Sequence, residues 1–145
     1  MDFPLLTLLD IDASVRWVEQ HFHPHGFGCP HCDAPLAQAR EFRINRGSGL
    51  PVYRCHQCQG VYTLYSATVF EGCQLTPAQV VLLMRGVFQG QSSAQLAREL
   101  ELTPKTALKW RHRLQAQAQA LQPDTPLADT QTESDEMFQN AGEKK

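Results

Sequence analysis

Two Cys-x-x-Cys pairs constrain this chain more than any other feature of its sequence. Cys29 and Cys32 form the first pair, Cys55 and Cys58 form the second, and 22 residues separate them. Two thiolates three residues apart on a tight turn can face one tetrahedral ion at about 2.3 Å. A hairpin between the pairs would bring both turns together. The pattern therefore predicts a closed site with four cysteine ligands and structural Zn²⁺, without a position open to substrate.

Other interpretations of these cysteines remain open. A redox dithiol is one, although the sequence lacks the βαβ context of a thioredoxin-like site, and ordinary buried cysteines are another. The fifth cysteine, Cys73, is predicted to be a small buried or partly exposed residue rather than a fifth ligand or a nucleophile, because no base can be paired with it from sequence. Five histidines lie near enough in sequence to replace a thiolate: His21, His23, His25, His31 and His56.

Length and composition support this interpretation. A chain of 145 residues that is 42% hydrophobic can form one compact domain or two very small ones. A β unit of roughly 40 residues buries too little apolar surface to be stable alone, so metal binding would supply the missing folding energy. The apolar residues 3–9 lack the basic flank of a signal peptide, so we expect a soluble cytoplasmic protein without membrane partners.

Turn residues and hydrophobic periodicity predict the order of the elements. Asp12 is predicted to cap a first helix that ends before Pro24, and strands are predicted at 41–45, 52–54 and 61–65. Thr76 would cap the next helix, a further helix would run from Ser93 to about residue 101, and Thr103 would cap a last helix that continues towards Pro123. The apolar face of that last helix is predicted to comprise Ala107, Trp110, Leu114, Ala118 and Leu121.

These elements define a small α+β protein. Residues 1–28 would form an N-terminal helix and its lead-in, and residues 29–72 an antiparallel zinc ribbon. Residues 73–122 would form a helix-turn-helix unit, because a short break at 101–103 separates two capped helices. Residues 123–145 are rich in Asp, Thr, Ser and Glu and are predicted to be a disordered acidic tail that comprises a linker and the start of a truncated further unit.

The last predicted helix carries a basic stripe. Although the whole chain has a net charge of −2, residues 85–113 contain six Lys or Arg against two acids. In a helix-turn-helix the second helix enters the major groove, so Lys105, Thr106 and Lys109 are candidates for base contacts, with His112 beside them and Arg113 as a phosphate contact. Four ribbon arginines could add phosphate contacts: Arg40, Arg43, Arg46 and Arg54. A solvated basic helix face is the alternative.

Several motifs in this order resemble a known family. They are Cys-Pro-x-Cys at 29–32, Tyr-Arg-Cys-x-x-Cys at 53–58, Thr-Val-Phe-Glu at 68–71, Leu-Ala-Arg-Glu-Leu at 96–100 and Lys-Thr-Ala at 105–107. Together they resemble the N-terminal part of zinc-ribbon insertion-sequence transposases of the DDE type. The chain departs from that family in two places, with Asp33 and Ala67 where the family often has Gly.

The resemblance implies a role in DNA transposition. Asp135 matches the first carboxylate of the family's catalytic triad, which in a complete family member binds Mg²⁺. Because only ten residues follow Asp135, we expect a truncated chain that recognises transposon-end duplex DNA but is not an enzyme by itself. The resemblance also implies a bacterial, nucleoid-associated protein, with a second copy or a full-length transposase as a partner.

Two further functions remain open. One is a free-standing regulator of transcription or transposition that uses the same surfaces. The other is a zinc ribbon that serves as a protein-interaction module, with the helices as the partner surface. The effect of removing the charges of Lys105, Lys109 and Arg113 would distinguish DNA binding from this last alternative.

Overall fold

The structure is a computed structural model that describes residues 10–121. Within that range it is a small α+β fold, as the sequence predicts, with four α-helices and one three-stranded antiparallel sheet. The elements follow in the order α1 (Ile11–Phe22), a 3₁₀ turn (Leu36–Gln38), β1 (Ala39–Ile44), β2 (Pro51–Cys55), β3 (Val61–Tyr62), α2 (Pro77–Phe88), α3 (Ser93–Glu99) and α4 (Pro104–Ala120).

Helix α1 begins at Ile11, two residues before the start that Asp12 as N-cap would give. Asp10, in extended conformation, is the N-cap, and its carboxylate accepts a hydrogen bond from the backbone N–H of Asp12 at 3.0 Å. The prediction of Asp12 as the cap is therefore wrong. Asp12 instead lies in the first helical turn, where its negative charge interacts favourably with the positive end of the helix dipole. Val18 is buried on the inner face, and α1 packs against α2.

The sheet has the strand order β1-β2-β3. Predicted strand bounds were wrong by several residues: β1 spans Ala39–Ile44 rather than 41–45, and β3 ends at Tyr62 rather than at residue 65. After β3 the chain turns, because the N–H of Ser66 donates to the carbonyl of Thr63 and the N–H of Tyr65 donates to the Thr63 hydroxyl. This turn directs Leu64 and Tyr65 into the core instead of continuing the strand.

The predicted caps of the later helices are confirmed. Thr76 and Gln79 form a reciprocal capping box at α2, and Thr103 accepts from the N–H of Thr106 at α4. Helix α3 ends at Glu99, two residues before its predicted end, because the chain reverses through Glu101 with φ +55°. Helix α3 packs on α4, and α4 also packs on α2.

The molecule has two clusters of buried apolar side chains. The larger joins α1, the three later helices and the loops around Leu50, Tyr65 and Phe70. The smaller surrounds the cysteine pairs and contains Ala34 and Tyr62. Ala107, Trp110 and Leu114 of α4 are buried as predicted, but Ala118 and Leu121 are exposed because the last turns of α4 extend past the core.

Some sequence predictions lie outside the described residues. They concern the acidic tail from residue 123, its proposed disorder, the last helix beyond residue 121 and Asp135. Within residues 10–121, no helix has the length and apolar character that crossing a membrane would require.

Candidate metal centre and basic helix face

The first cysteine pair lies on a tight turn closed by two backbone hydrogen bonds. The N–H of Cys29 donates to the carbonyl of Ala34 at 2.8 Å, and the N–H of Asp33 donates to the carbonyl of Cys29 at 2.9 Å. Asp33 has φ +57°, a conformation that glycine adopts more readily. This geometry makes Cys29 and Cys32 project from the same side of the turn.

The second pair repeats the same turn. The N–H of Cys55 donates to the carbonyl of Gly60 at 2.9 Å, the N–H of Gln59 donates to the carbonyl of Cys55 at 3.1 Å, and Gln59 has φ +61°. Gly60 lies against the first turn, since a Cβ at this position would be 2.6 Å from the His31 ring. Sequence reasoning missed the role of Gly60, although the pattern Cys-x-x-Cys-x-Gly carries the signal.

The sheet brings the four sulfurs together. The Sγ atoms of Cys29 and Cys58 are 3.5 Å apart, those of Cys32 and Cys55 are 3.6 Å apart, and all four lie within 4.8 Å of one another. A tetrahedral ion with bonds of about 2.3 Å requires sulfurs about 3.8 Å apart. The predicted cysteines are therefore positioned to bind one metal ion, and the geometry is compatible with structural zinc. None of the described histidines belongs to this group.

The pKa values of the thiols differ within the cluster. Backbone N–H groups, first that of Cys58, donate to the Cys55 sulfur and lower its pKa to about 7. The N–H of Ala34 acts in the same way on Cys32, but desolvation and the neighbouring sulfurs outweigh it and raise the pKa of Cys32. Four adjacent thiols cannot all ionise without a compensating charge, and a divalent cation at their centre would supply it.

The basic residues of α4 lie on the side of the helix that faces away from the core. Lys105, Lys109, His112 and Arg113 are exposed, whereas the core residues lie on the opposite side. Thr106 is half-buried, and its hydroxyl is hydrogen-bonded to that of Thr103 at 2.8 Å. The predicted stripe is therefore exposed on the surface, and Thr106 lies at its margin.

Two of these cations also contact the protein. The Lys109 Nζ and the Arg113 guanidinium each lie 5.2 Å from the Trp110 ring centroid. Arg113 donates to the carbonyl of Glu71 at 3.2 Å, and Arg111 donates to the carbonyl of Gln91. Lys105 and His112 make no such contact in the described part of the chain. Sequence analysis missed Leu108, which is 43% exposed and lies one turn from Lys105 and His112 on this face.

Cys73 lies in the larger core, away from the metal centre, as predicted. It is buried, and its sulfur accepts from the N–H of Leu75 at 3.4 Å. Desolvation raises the pKa of Cys73 to about 11, while the positive charges of Lys109 and Arg113 act in the opposite direction. A buried, protonated thiol without a neighbouring base has no nucleophilic role.

Comparisons with known proteins found no family model, no curated protein and no solved structure that matches this chain. The resemblance to transposases thus remains a prediction from the motifs. The geometry of the cysteine cluster and the surface of α4 are the observations from which a function can be argued.

Proposed function

We propose that this chain is a zinc-dependent DNA-binding module of the kind found at the N-terminus of insertion-sequence transposases. In this proposal Cys29, Cys32, Cys55 and Cys58 hold Zn²⁺ as thiolates, which are its preferred ligands in closed structural sites. Two turns of identical hydrogen-bond pattern support the assignment of residues 29–72 as a zinc ribbon. The ion's contribution is folding energy, because four sulfur ligands leave no position for substrate.

The proposal further assigns α3 and α4 as a helix-turn-helix. After α3, the N–H of Leu102 donates to the carbonyl of Ala97 at 2.8 Å across the left-handed residue Glu101. This hydrogen bond ends α3 in a tight turn. Thr103, two residues after Glu101, is therefore able to cap α4. Helix α2 packs against α4, which supports the two-helix unit from the other side.

The exposed basic surface of α4 is the observation that supports duplex DNA as the ligand. Helix α4 buries Ala107, Trp110 and Leu114 and thereby presents Lys105 and Lys109 on its outer face. These lysines lie in the first turns of the helix, which are the turns of a recognition helix that reach base edges and phosphates. Exposed Leu108 between them could contact a thymine methyl group.

The assignment to transposon ends rests on the resemblance alone, and two backbone angles agree with the motifs that carry that resemblance. Asp33 and Ala67 replace residues that are often Gly in the family, and they have φ +57° and φ +58°. Both positions thus have the left-handed conformation that favours glycine. The proposed role of this module is to recognise DNA, whereas strand cleavage would require Mg²⁺ held by carboxylates, and Asp135 lies outside the described residues.

Salt-dependent DNA binding tests the proposal. A duplex enriched from a random-sequence pool by the zinc-loaded full chain would be titrated at several salt concentrations by fluorescence anisotropy. Replacing Lys105 with Ala, and separately Lys109 with Ala, should weaken binding and lower the slope of log K against log salt by about one for each phosphate that is no longer neutralised. The matched control is Arg16→Ala, which removes the same charge from the exposed face of α1.

The outcomes separate the candidate functions. Loss of affinity in both lysine variants, with Arg16→Ala unchanged, would support α4 as the recognition helix. Failure to enrich any duplex, or equal affinities in all three variants, would exclude the proposal. A regulator of transcription would show the same DNA binding. The nucleotide sequence downstream of codon 145 would distinguish the two, because only a transposase would have the rest of the catalytic core, with its further carboxylates, encoded there.

A further inference from the structure

The outer face of the β-hairpin is a second cationic surface. We call it the basic ribbon face; it comprises Phe42, the strand residues Arg40, Arg43 and Arg54, and Arg46 in the turn after β1, which lines a cleft together with Arg43. Phe42 and all of these arginines except Arg54 are exposed, and Arg54 is half-buried. Within residues 10–121, none of these guanidinium groups makes an ion pair with a carboxylate. The face therefore concentrates positive charge without internal neutralisation.

Two of the arginines lie directly opposite each other. Arg40 of β1 pairs with Arg54 of β2 in the antiparallel register, a position at which like charges repel. The Arg54 Nε is buried and has no hydrogen-bond partner. A polar atom in that state costs free energy. Because this atom has no accessible surface, an anion between the two guanidinium groups would contact their outer N–H groups and relieve the repulsion.

Phe42 holds two guanidinium groups in place. Its ring is 46% exposed, and the Arg54 guanidinium carbon lies 4.3 Å from the ring centroid, with that of Arg43 at 6.0 Å. A guanidinium that lies over an aromatic ring keeps the N–H groups at its edge free, and these fit the oxygens of a phosphate in pairs. The aromatic ring thus reduces the entropy that the arginines would lose on binding a phosphate.

The acid nearest in sequence lies on the other side of the sheet. Glu41 is paired with Tyr53, one position along from the Arg40 and Arg54 pair, and successive side chains of a strand point to opposite faces. The register shift between Glu41 and Arg43 then pairs Arg43 with Val52, on the same side as Arg54. Tyr53 packs against Phe27 and Tyr62 in the smaller core. Glu41 therefore does not neutralise the basic ribbon face.

The hairpin tip connects this face to α4. A cleft of about 540 Å³ lies between the tip and the segment after Gly72, with Arg43, Arg46 and Gln74 in its lining. The next residue back, Cys73, is close enough to Lys109 and Arg113 to be influenced by their charges. Arg113 of α4 also donates to the carbonyl of Glu71 at 3.2 Å, so the hairpin tip and the basic face of α4 both adjoin the short segment 71–74.

We propose that the basic ribbon face contacts the phosphate backbone of the same DNA duplex whose groove α4 enters. This inference rests on the proposed function, and it assigns to the zinc ribbon a direct binding role besides its structural one. A duplex fits better than a single strand, because stacking of unpaired bases requires open aromatic faces and the one exposed ring here is covered by Arg54. The contacts would be independent of base sequence, since phosphates are the same along the duplex.

Titration of duplex and single-stranded oligonucleotides with the zinc-loaded full chain tests this inference. The variants are Arg40→Ala and the double variant Arg43→Ala/Arg46→Ala, and Arg16→Ala is the control for charge. Each arginine removed should lower duplex affinity about 5- to 10-fold near 0.1 M salt and lower the salt slope by about one, because one phosphate is no longer neutralised. The decrease should be equal for the enriched duplex and for a duplex of random sequence. Bound zinc and the thermal unfolding midpoint would verify that each variant is folded.

The outcomes distinguish this inference from the proposed function. Weaker duplex binding in the ribbon variants, with Arg16→Ala unchanged, would support it. If only the Lys105 and Lys109 variants lose affinity, the proposed function would hold and the ribbon inference would be wrong. If the ribbon variants lose affinity for the single strand and keep it for the duplex, the inference would also be wrong.

Discussion

The two halves of this molecule achieve stability in different ways. The helical region around α2, α3 and α4 buries many large apolar side chains, including Leu83, Leu96 and Trp110. The ribbon has a core of two cysteines, Ala34 and Tyr62, and every residue of β1 except Ala39 is exposed. Apolar burial at about 25 cal/mol per Å² can stabilise the first region and contributes little to the second.

The difference indicates which region would depend on a metal ion bound by the four cysteines. Both cysteine turns force a residue other than glycine, Asp33 or Gln59, into the left-handed region. Such strain persists where the surrounding structure fixes the conformation. In the helical region packed side chains provide that restraint, whereas in the ribbon four bonds to one ion would provide it. The comparison therefore predicts that changes to the metal centre affect the ribbon first.

Loss of the metal centre should have the largest effect. Cys55→Ser, or zinc chelation, should remove a binding free energy on the order of 10 kcal/mol and unfold the ribbon, while most of the helical signal persists. Far-ultraviolet circular dichroism would report on the helices, and amide hydrogen exchange of β1, β2 and β3 would report on the ribbon. Acid should act in the same direction, because protons compete with the ion for the thiolates.

Cys73→Ser is the matched control for this prediction. It makes the same chemical change in the larger core, so it should lower stability by about 1–3 kcal/mol without loss of metal. Equal metal content in Cys55→Ser and the wild type would contradict the four-cysteine site. Loss of all helical signal on chelation would show that the two regions fold as one unit and that the comparison does not hold.

Sequence reasoning succeeded where chemistry is local. The grouping of the four cysteines, which are positioned to bind a metal ion, and the caps at Thr76 and Thr103 follow from residue types at fixed spacing, and the structure confirms both. The basic face of α4 could also be placed from helical periodicity, although its contact with DNA stays a prediction.

Errors arose where tertiary contacts decide the outcome. Leu64 and Tyr65 have strand-like residue types, but the Thr63 turn ends β3 before them. Leu121 continues the apolar period of α4, yet it is 73% exposed because none of the described elements covers the end of the helix. The buried Nε of Arg54 depends on its neighbours across the sheet, so the spacing of the arginines could not predict it.

Packing of α2 against α3 provides the second prediction, in the helical region. A Cβ at Gly86 would clash with Cδ2 of Leu96, so Gly86→Ala should destabilise the fold by about 1–3 kcal/mol through overpacking. Chemical denaturation would measure this cost, and metal affinity should not change. Leu96→Ala removes the nearer of the two clashing atoms, the other being Oε1 of Gln91, so the double variant should be less destabilised than the two single changes predict.

Additivity of the two changes would contradict a direct contact between Gly86 and Leu96. A large fall in metal affinity in Gly86→Ala would instead show that strain in the helices reaches the ribbon. Either result would define how independent the two regions are.

Relief of left-handed strain gives the smallest effect and compares the two regions directly. Glu101→Gly should raise the free energy of unfolding by about 0.5–1 kcal/mol, because Glu101 has φ +55° at the end of α3, and Glu101→Ala should show no such gain. Asp33→Gly makes the equivalent change beside Cys32, where the gain should appear as a metal affinity a few-fold higher. Zinc competition titrations and denaturation curves on both variants would measure the two effects. An equal change of metal affinity in Glu101→Gly and Asp33→Gly would show that the helical core and the ribbon are coupled, and the comparison of the two regions would fail.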